Sequence, residues 1–179
     1  MKALLLIDLQ NDFVIENGVL YFEGAEKVVN YACDMIDKFK EENLPIITTQ
    51  DWHDEKDPEF SLFPKHCVEN TYGAELHWKI KEKLKDYERW FTVKKRKFSA
   101  FFQTNFDDLI REQNIDSFDV CGVATNICVL FTVEELRNRN MEVTVHESGV
   151  ASYDRLMHEF ALKIMKEILG AKILEADNR

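Results

Sequence analysis

The chain is poor in residues that break regular structure or cross-link small folds: its 179 residues include six glycines, three prolines and four cysteines. Few turn formers and no Pro/Gly/Ser-rich stretch argue against linkers and low-complexity segments. So few cysteines, without a Cys-x-x-Cys pair, are typical of a reducing compartment where thiols stay free. With 45% hydrophobic residues, we expect one domain over residues 1–179 with a core of ordinary size.

Long apolar runs and an excess of positive charge are also missing. The longest apolar runs, such as Ala3 to Ile7, are far too short to span a bilayer, and no basic segment leads into a signal-peptide core. With 23 basic and 33 acidic residues the net charge is −10, which opposes binding to nucleic acid or anionic membranes. We therefore expect a cytoplasmic protein whose partner is a small molecule.

Short aliphatic runs alternate with helical patterns along the chain. Six runs predict strands, most of them covered on both faces: Lys2 to Asp8, Leu44 to Thr49, Trp90 to Lys94, Phe118 to Val123, Met141 to His146 and Ala171 to Leu174. Apolar spacings of three and four predict helices between them: Ala25 to Glu42, Gly73 to Tyr87, Thr104 to Asn114, Ile127 to Asn140 and Tyr153 to Leu169. This alternation is typical of an α/β fold, here three α/β/α layers around a mainly parallel six-stranded sheet.

Cys128 lies at the start of a predicted apolar helix, directly after the buried strand that ends at Val123. Unpaired backbone N–H groups and the positive end of the helix dipole favour a thiolate there and can also hold an oxyanion. Cys128 is therefore a candidate nucleophile. The alternative interpretation is a small buried hydrophobic residue, which is the common role of cysteine.

Other reactive side chains are expected at the same edge of the sheet, because ligands of open parallel sheets bind beyond the carboxyl ends of the strands. The first strand delivers Asp8, the predicted third strand Lys95 and the fourth Cys128. An ammonium stabilises a thiolate, and a carboxylate takes the thiol proton and returns it to a leaving amine. Taken alone, Asp8 is also typical of a turn, and Lys95 lies in a basic run, 94–97, that is typical of a solvated face.

The second strand leads into a long loop, residues 51–72, and loops of this length in compact domains are usually functional or disordered. Asp51 and His53 are two residues apart, so in an extended segment their side chains project the same way. The loop is long enough to return Glu59 and His66 to them. Two carboxylates and two imidazoles suit Zn²⁺, Fe²⁺ or Mn²⁺. A polar loop without a metal is the alternative, and Cys67 is a competing soft ligand.

The remaining acids of this loop and the remaining histidines are assigned no chemistry. We expect solvated carboxylates at Asp54, Glu55 and Asp57. We expect structural roles, away from the strand ends, for His77, His146 and His158.

Five motifs in order resemble the isochorismatase-like cysteine hydrolases, and within them the nicotinamidases (pyrazinamidases). They are I-D-L-Q-N-D-F (Ile7 to Phe13), D-W-H (Asp51 to His53), L-F-P-K-H-C-V (Leu62 to Val68), K-R-K-F-S-A-F (Lys95 to Phe101) and G-V-A-T-N-I-C-V (Gly122 to Val129). The likeness runs nearly end to end. It implies a catalytic triad of Asp8, Lys95 and Cys128, a cis peptide between Val123 and Ala124, and an oxyanion hole made by the N–H groups of Ala124 and Cys128.

The resemblance also implies a cofactor and a substrate site. The divalent metal ion, most often Zn²⁺, would bind at positions that relatives acting on isochorismate or N-carbamoyl compounds generally lack: Asp51, His53, Glu59 and His66. Aromatic residues that hold the substrate ring fall at Phe13, Phe63 and Phe102. Family habit and exposed apolar helix faces favour a homo-oligomer.

The activity implied is hydrolysis of nicotinamide to nicotinate and ammonia through a thioester on Cys128. One alternative is a hydrolase acting on another amide, a carbamoyl compound or an enol ether. A second is a non-catalytic redox or ligand-binding module that uses Cys128 as a sensor thiol. Assays of metal content and of ammonia release distinguish the three.

Two departures from the family pattern lie in supporting turns. Asn126 stands where the family usually has Asp, and residues 147–152, E-S-G-V-A-S, replace the usual E-D-A-x-A-S, which places Ser148 at the usual Asp position. We expect altered stability or tuning more than lost activity, and both leave room for a related amide substrate.

Overall fold

The computed structural model describes residues 1–175 and contains one six-stranded sheet in the order β3-β2-β1-β4-β5-β6, with every neighbouring pair parallel. The strands are β1 (Lys2–Ile7), β2 (Ile46–Asp51), β3 (Trp90–Lys95), β4 (Ser117–Val123), β5 (Glu142–Ala151) and β6 (Lys172–Leu174). The predicted fold class is confirmed. Because β1 lies centrally and is covered on both faces, its residues from Ala3 to Ile7 are wholly buried.

Helices cover both faces of the sheet. Within the described residues they are α1 (Asn11–Val14), α2 (Ala25–Glu41), α3 (Trp78–Leu84), α4 (Phe106–Glu112), α5 (Leu130–Asn138) and α6 (Arg155–Glu167). The alternation of β1 separates two cores: Leu4 and Leu6 pack with α1, α2 and α3, whereas Leu5 and Ile7 pack with α4, α5 and α6. None of the helices in residues 1–175 is long and apolar enough to cross a membrane.

Two predicted elements differ from the structure by five residues at one end. The helix predicted from Gly73 to Tyr87 begins only at Trp78, because residues 75 and 76 cross beside Gln10, and Leu76 forms an isolated antiparallel bridge with that residue. Strand β5 continues past the predicted end at His146 to Ala151, with a register irregularity in its pairing to β4 between Val120 and Gly122. Such an irregularity re-aims the strand end, here toward the segment that follows β4.

The carboxyl ends of the four strands β3, β2, β1 and β4 lie side by side, so their last residues meet at one edge. Asp8 follows β1 in a left-handed conformation (φ 54°), which turns the chain sharply out of the sheet. Asp51 and Lys95 are paired in register as the final residues of β2 and β3. The long loop 51–72 contains a 3₁₀ turn, Pro58–Ser61, and returns to pair His53 with Val68.

Candidate active site

Asp8, Lys95 and Cys128 come together at this edge as the strand positions predict. The Nζ atom of Lys95 lies 2.8 Å from Oδ2 of Asp8 and 3.4 Å from Sγ of Cys128. All three residues are buried, and Asp8 and the Lys95 side chain are wholly inaccessible. The hydroxyl of Thr49 donates to Oδ1 of Asp8 at 2.6 Å, which fixes the carboxylate beside the ammonium.

Asp51 is the second carboxylate on Lys95 and accepts a short hydrogen bond through Oδ1. The backbone of Asp51 is held by the buried amide of Gln10, which accepts from Asp51 N at 2.7 Å and donates to Asp51 O at 2.8 Å. The same amide donates to Ala74 O at 2.8 Å. Gln10 thus joins the end of β1 to the end of β2 and to the chain that returns from the loop.

Cys128 lies in a π-helical turn, Thr125–Val129, that leads into α5. The Val123–Ala124 peptide before this turn is cis, as the resemblance implies. Two contacts hold the turn from outside: Thr125 Oγ1 lies 2.8 Å from Nδ1 of His158, and the Ser152 hydroxyl donates to Asn126 Oδ1 at 2.5 Å. The turn that carries the sulfur is therefore tied to α6 and to the segment after β5.

Burial and charge together set the protonation of these groups. Burial raises the pKa of Cys128 well above its usual range against the opposing charge of Lys95, and it also raises the pKa of Asp8. The pKa of Lys95 lies well above its usual range because Asp51 and Asp8 outweigh burial. Burial acts to raise the pKa of Asp51, but Lys95 and His53 lower it to about 2. Burial therefore opposes the thiolate that Lys95 favours, and of the two carboxylates on Lys95 the pKa of Asp8 is raised while that of Asp51 is lowered.

The four predicted metal-binding side chains also converge, beside Asp8, Lys95 and Cys128. Oδ2 of Asp51, the oxygen that faces away from Lys95, lies 3.8 Å from Nε2 of His53 and 3.9 Å from Nε2 of His66. Oε1 of Glu59 lies 3.9 Å from Nε2 of His53. All four residues are buried. Tetrahedral zinc, with bonds of about 2.0–2.2 Å, places its ligand atoms roughly 3.3–3.6 Å apart, so the set fits such an ion after shifts of a few tenths of an ångström.

The histidine nitrogens support this assignment. Nδ1 of His66 lies 2.7 Å from Pro64 O, and because a carbonyl only accepts, this nitrogen carries a proton, so that in the neutral imidazole Nε2 is the unprotonated nitrogen. Nε2 of His53 is buried and has no hydrogen-bond partner among residues 1–175. A buried nitrogen without a partner is costly in a protein interior, and a bound cation would satisfy it.

The acidic residues of the loop do not all behave as expected. Asp54 and Glu55 are exposed, as predicted, whereas Asp57 is buried with a relative accessibility of 8%. The prediction of a solvated Asp57 is wrong, because its carboxylate faces His53 and the first turn of the 3₁₀ segment. The three histidines expected to be structural lie outside this site: His77 caps α3, His146 contacts Tyr31, and His158 contacts Thr125.

A cavity of about 410 Å³ opens beside Cys128. Its lining includes Asp51, Glu59 and His66 together with Ala124 and Cys128, and a carboxylate oxygen of Asp51 lies within 4.8 Å of Sγ of Cys128. The other lining residues are mostly apolar or aromatic: Phe13, Val19, Leu20, Tyr21, Phe22, Phe63, Val123, Ile127 and Tyr153. The arrangement can hold a small flat molecule between aromatic side chains, beside both a sulfur and a cluster of candidate metal-binding groups.

The chain matches the isochorismatase domain over residues 2–177. The chain belongs to the isochorismatase family. The crystal structure of nicotinamidase PncA from Bacillus subtilis superposes on it with a TM-score of 0.91 and 34% identity, covering 97% of this chain and 99% of that chain. This family membership makes the protein a hydrolase with a nicotinamidase-like fold.

Two further solved relatives of this isochorismatase-family hydrolase differ in what their names state. Pyrazinamidase of Pyrococcus horikoshii, solved in complex with zinc, has a TM-score of 0.87 and 30% identity and covers 98% of this chain and 99% of that one. N-carbamoylsarcosine amidase of Thermoplasma acidophilum has a TM-score of 0.85 and 27% identity and covers 99% and 98%. The shared fold therefore hosts more than one amide substrate, and the side chains in the cavity must decide between them.

One expected ring contact of this hydrolase is placed elsewhere. Phe102 is 53% exposed and lies with Trp52, Lys94 and Gln103 around a separate small cavity, so in this structure it does not line the space beside Cys128. It points outward because it follows β3 and Ala100 in a turn whose buried residues are Ala100 and Phe101.

Six residues that line the cavity were not predicted from the sequence: the stretch 19–22, Ile127 and Tyr153. The stretch has no helical or strand periodicity and therefore no signal of its own. Gly18 is the one local clue, because a Cβ there would lie 2.4 Å from Asn11 O, so only glycine lets the chain fold back against α1.

Proposed function

We propose that this chain is a nicotinamidase that hydrolyses nicotinamide to nicotinate and ammonia through a thioester on Cys128. The observation that carries the proposal is a single cavity whose lining holds Cys128 together with the candidate metal ligands Asp51, Glu59 and His66. A flat aromatic amide with a ring nitrogen matches both groups, since its carbonyl carbon needs a nucleophile and its ring nitrogen a Lewis acid.

The proposed reaction divides acid–base and nucleophilic work between two residues. Asp8 takes the thiol proton as the sulfur of Cys128 attacks the amide carbon, and the oxyanion is held by the N–H groups of Ala124 and Cys128. Asp8 returns the proton to the nitrogen as ammonia leaves, which produces the thioester. Asp8 then removes a proton from water, the hydroxyl adds to the thioester carbon, and the sulfur leaves with the proton as nicotinate forms.

Lys95 supplies fixed positive charge in this scheme. Its ammonium lies between Asp8 and Sγ of Cys128 and stabilises the negative charge that develops on sulfur in the buried site. The high pKa of Lys95 keeps that charge in place throughout the reaction.

The proposed cofactor is a divalent metal ion, Zn²⁺ before Fe²⁺ or Mn²⁺, held by Asp51, His53, Glu59 and His66. When bound, the ion supplies a Lewis acid for the ring nitrogen of the substrate. Phe13 and Phe63, which both line the cavity and have ring centroids 5.6 and 6.3 Å from that of His66, would hold the ring between apolar faces. We also propose that the protein is a cytoplasmic homo-oligomer.

Ammonia release from nicotinamide, pyrazinamide and an N-carbamoyl amino acid, with and without a chelator, tests the proposal. We expect release from the first two substrates, loss of release with chelator and in Cys128→Ala, and retention in Cys33→Ala, whose thiol lies in α2 away from the cavity. Release from the carbamoyl compound alone would favour the alternative hydrolase. No release from any of the three would contradict the nicotinamidase assignment and favour a non-catalytic thiol module.

A further inference from the structure

Asp57 makes two hydrogen bonds that the proposed reaction does not use. Its Oδ2 lies 3.1 Å from Nδ1 of His53, and its Oδ1 accepts from the backbone N–H of Glu59 at 2.9 Å. His53 and Glu59 are both candidate metal ligands. One buried carboxylate therefore contacts two members of the set. His53, Asp57 and Glu59 also bring one ligand atom each within 4.8 Å of one another, but Asp57 meets His53 at Nδ1, whereas Asp51 and Glu59 face Nε2.

The contact with His53 decides which ring nitrogen is available. An ionised carboxylate only accepts hydrogen bonds, so Nδ1 of His53 must carry the proton. In the neutral imidazole Nε2 is then the unprotonated nitrogen, and it is this atom that is buried and without a partner among the described residues. Asp57 thus selects the tautomer of His53 that presents a lone pair toward Asp51 and Glu59.

The hydrogen bond from the Glu59 N–H to Asp57 fixes the backbone at the start of the 3₁₀ turn. Asp57 is the N-terminal cap of the 3₁₀ turn Pro58–Ser61, with Pro58 at the first position of that turn. The capping bond sets where Glu59 leaves the chain and so where its carboxylate lies relative to His53. The Lys97 ammonium lies 3.2 Å from Oε2 of Glu59 and 3.7 Å from Oδ1 of Asp57, which holds the outer oxygen of Glu59 away from the cluster.

We propose that Asp57 is a positioning residue of the metal centre, which orients His53 through its ring and Glu59 through its backbone. The inference rests on the metal centre of the proposed function but not on the identity of the amide substrate. Carboxylates that bond to metal-binding histidines change metal affinity by about 10- to 100-fold when they are removed.

The test is the dissociation constant for Zn²⁺, measured on metal-free protein by competition with a chromophoric chelator and without substrate. We expect affinity to fall by about 10- to 100-fold in Asp57→Ala. We expect a smaller loss in Asp57→Asn. The side-chain amide keeps one oxygen that can accept from one of the two donors, whereas alanine accepts from neither. The matched control is Asp54→Asn, three residues earlier in the same loop and exposed, which should stay within about twofold of wild type because it touches no metal-binding side chain.

A second readout separates positioning from general loosening of the loop. The ¹⁵N shifts of the His53 imidazole, measured in metal-free protein at a pH where the ring is neutral, should show a proton on Nδ1 alone in wild type and in Asp54→Asn, and a changed tautomer population in Asp57→Ala. Should Asp57→Ala fail to fold, Asp57→Asn carries both measurements.

The outcomes are distinguishable. Unchanged zinc affinity in both Asp57 variants would overturn the inference while leaving the metal centre in place. A wild-type protein that binds no Zn²⁺ would overturn the inference together with the metal part of the proposed function. Zinc affinity that depends on Asp57 in a protein that releases no ammonia from nicotinamide would support the inference and contradict the proposed substrate.

Discussion

Asp51 and Lys95 are the last residues of two neighbouring strands and share a buried ion pair through Oδ1 of the carboxylate. The other oxygen of Asp51 faces His53 and His66. One side chain therefore connects the ammonium beside the sulfur to the candidate metal-binding cluster. A change in either group is expected to reach the other through Asp51.

Replacement of Lys95 tests this connection. Lys95→Met keeps an unbranched chain but leaves Asp8 and Asp51 as adjacent buried carboxylates, so we expect a loss of about 3–5 kcal/mol in the free energy of unfolding and no measurable ammonia release. Urea denaturation and an ammonia assay measure the two effects. The control is Lys94→Met, next in the chain and exposed over Trp52, which should keep activity. A Lys95→Met protein as stable as wild type would contradict the ion-pair account.

Metal removal is expected to lower the stability of the folded chain. Zn²⁺ at a hundredfold excess over its dissociation constant should raise the free energy of unfolding by about 2.7 kcal/mol. His53→Ala should lose this response, whereas His158→Gln, outside the cluster, should keep it. Thermal unfolding with added zinc and with chelator measures the difference, and an equal zinc response in His53→Ala would show that the ion binds elsewhere.

Burial of His158, which contacts Thr125, predicts that the stability of the folded chain depends on pH. Burial lowers the pKa of His158 in the folded chain, so protonation favours the unfolded chain, where the pKa is about 6.5. The contribution of His158 is therefore full above about pH 6.5 and is lost as the pH falls toward the folded pKa.

His158→Gln removes this titration. The free energy of unfolding of wild type should fall more steeply than that of the variant between about pH 7.5 and 5.5, as measured by urea denaturation at several pH values. Parallel curves for the two proteins would show that burial of His158 carries no such cost.

The glycine at position 149, where the family pattern has alanine, is explained by packing. A Cβ at Gly149 would lie 2.6 Å from Sγ of Cys121 and 2.9 Å from the Tyr31 ring. We expect Gly149→Ala to destabilise the protein by about 1–3 kcal/mol. In a double-mutant cycle with Cys121→Ala, the combined loss should be smaller than the sum by at least about 0.5 kcal/mol. Strict additivity would show that Cys121 is not the obstacle.

The sequence predicted the parts of the site that depend on strand ends. Asp8, Asp51 and Lys95 follow or end buried parallel strands, and parallel pairing alone brings such residues to one edge. Cys128 was found the same way, because it follows β4. The effect of burial on the pKa of its sulfur could not be predicted, because burial raises that pKa against the charge of Lys95 and the extent of burial is a property of the tertiary structure.

The parts that were missed depend on loops. Asp57 has the same local composition as its exposed neighbour Asp54. It is buried only because the folded loop places its carboxylate against the ring of His53. Phe102 was expected beside the substrate, but the turn after β3 directs Phe101 inward and Phe102 outward. Loop residues carry no periodicity, so their direction follows from contacts made only after folding.

The thioester on Cys128 is the central claim and can be observed directly. Enzyme mixed with nicotinamide and quenched in acid within the first turnovers should yield, by peptide mass spectrometry, one nicotinoyl group on the peptide that contains Cys128. Fragmentation of that peptide should place the group on Cys128 and not on Cys121, because no lysine or arginine separates the two residues. The peptides that contain Cys33 and Cys67 should carry none, and Asp8→Asn should form no adduct. Sustained release of nicotinate by Cys128→Ala at the wild-type rate, without any acylated cysteine, would contradict the account.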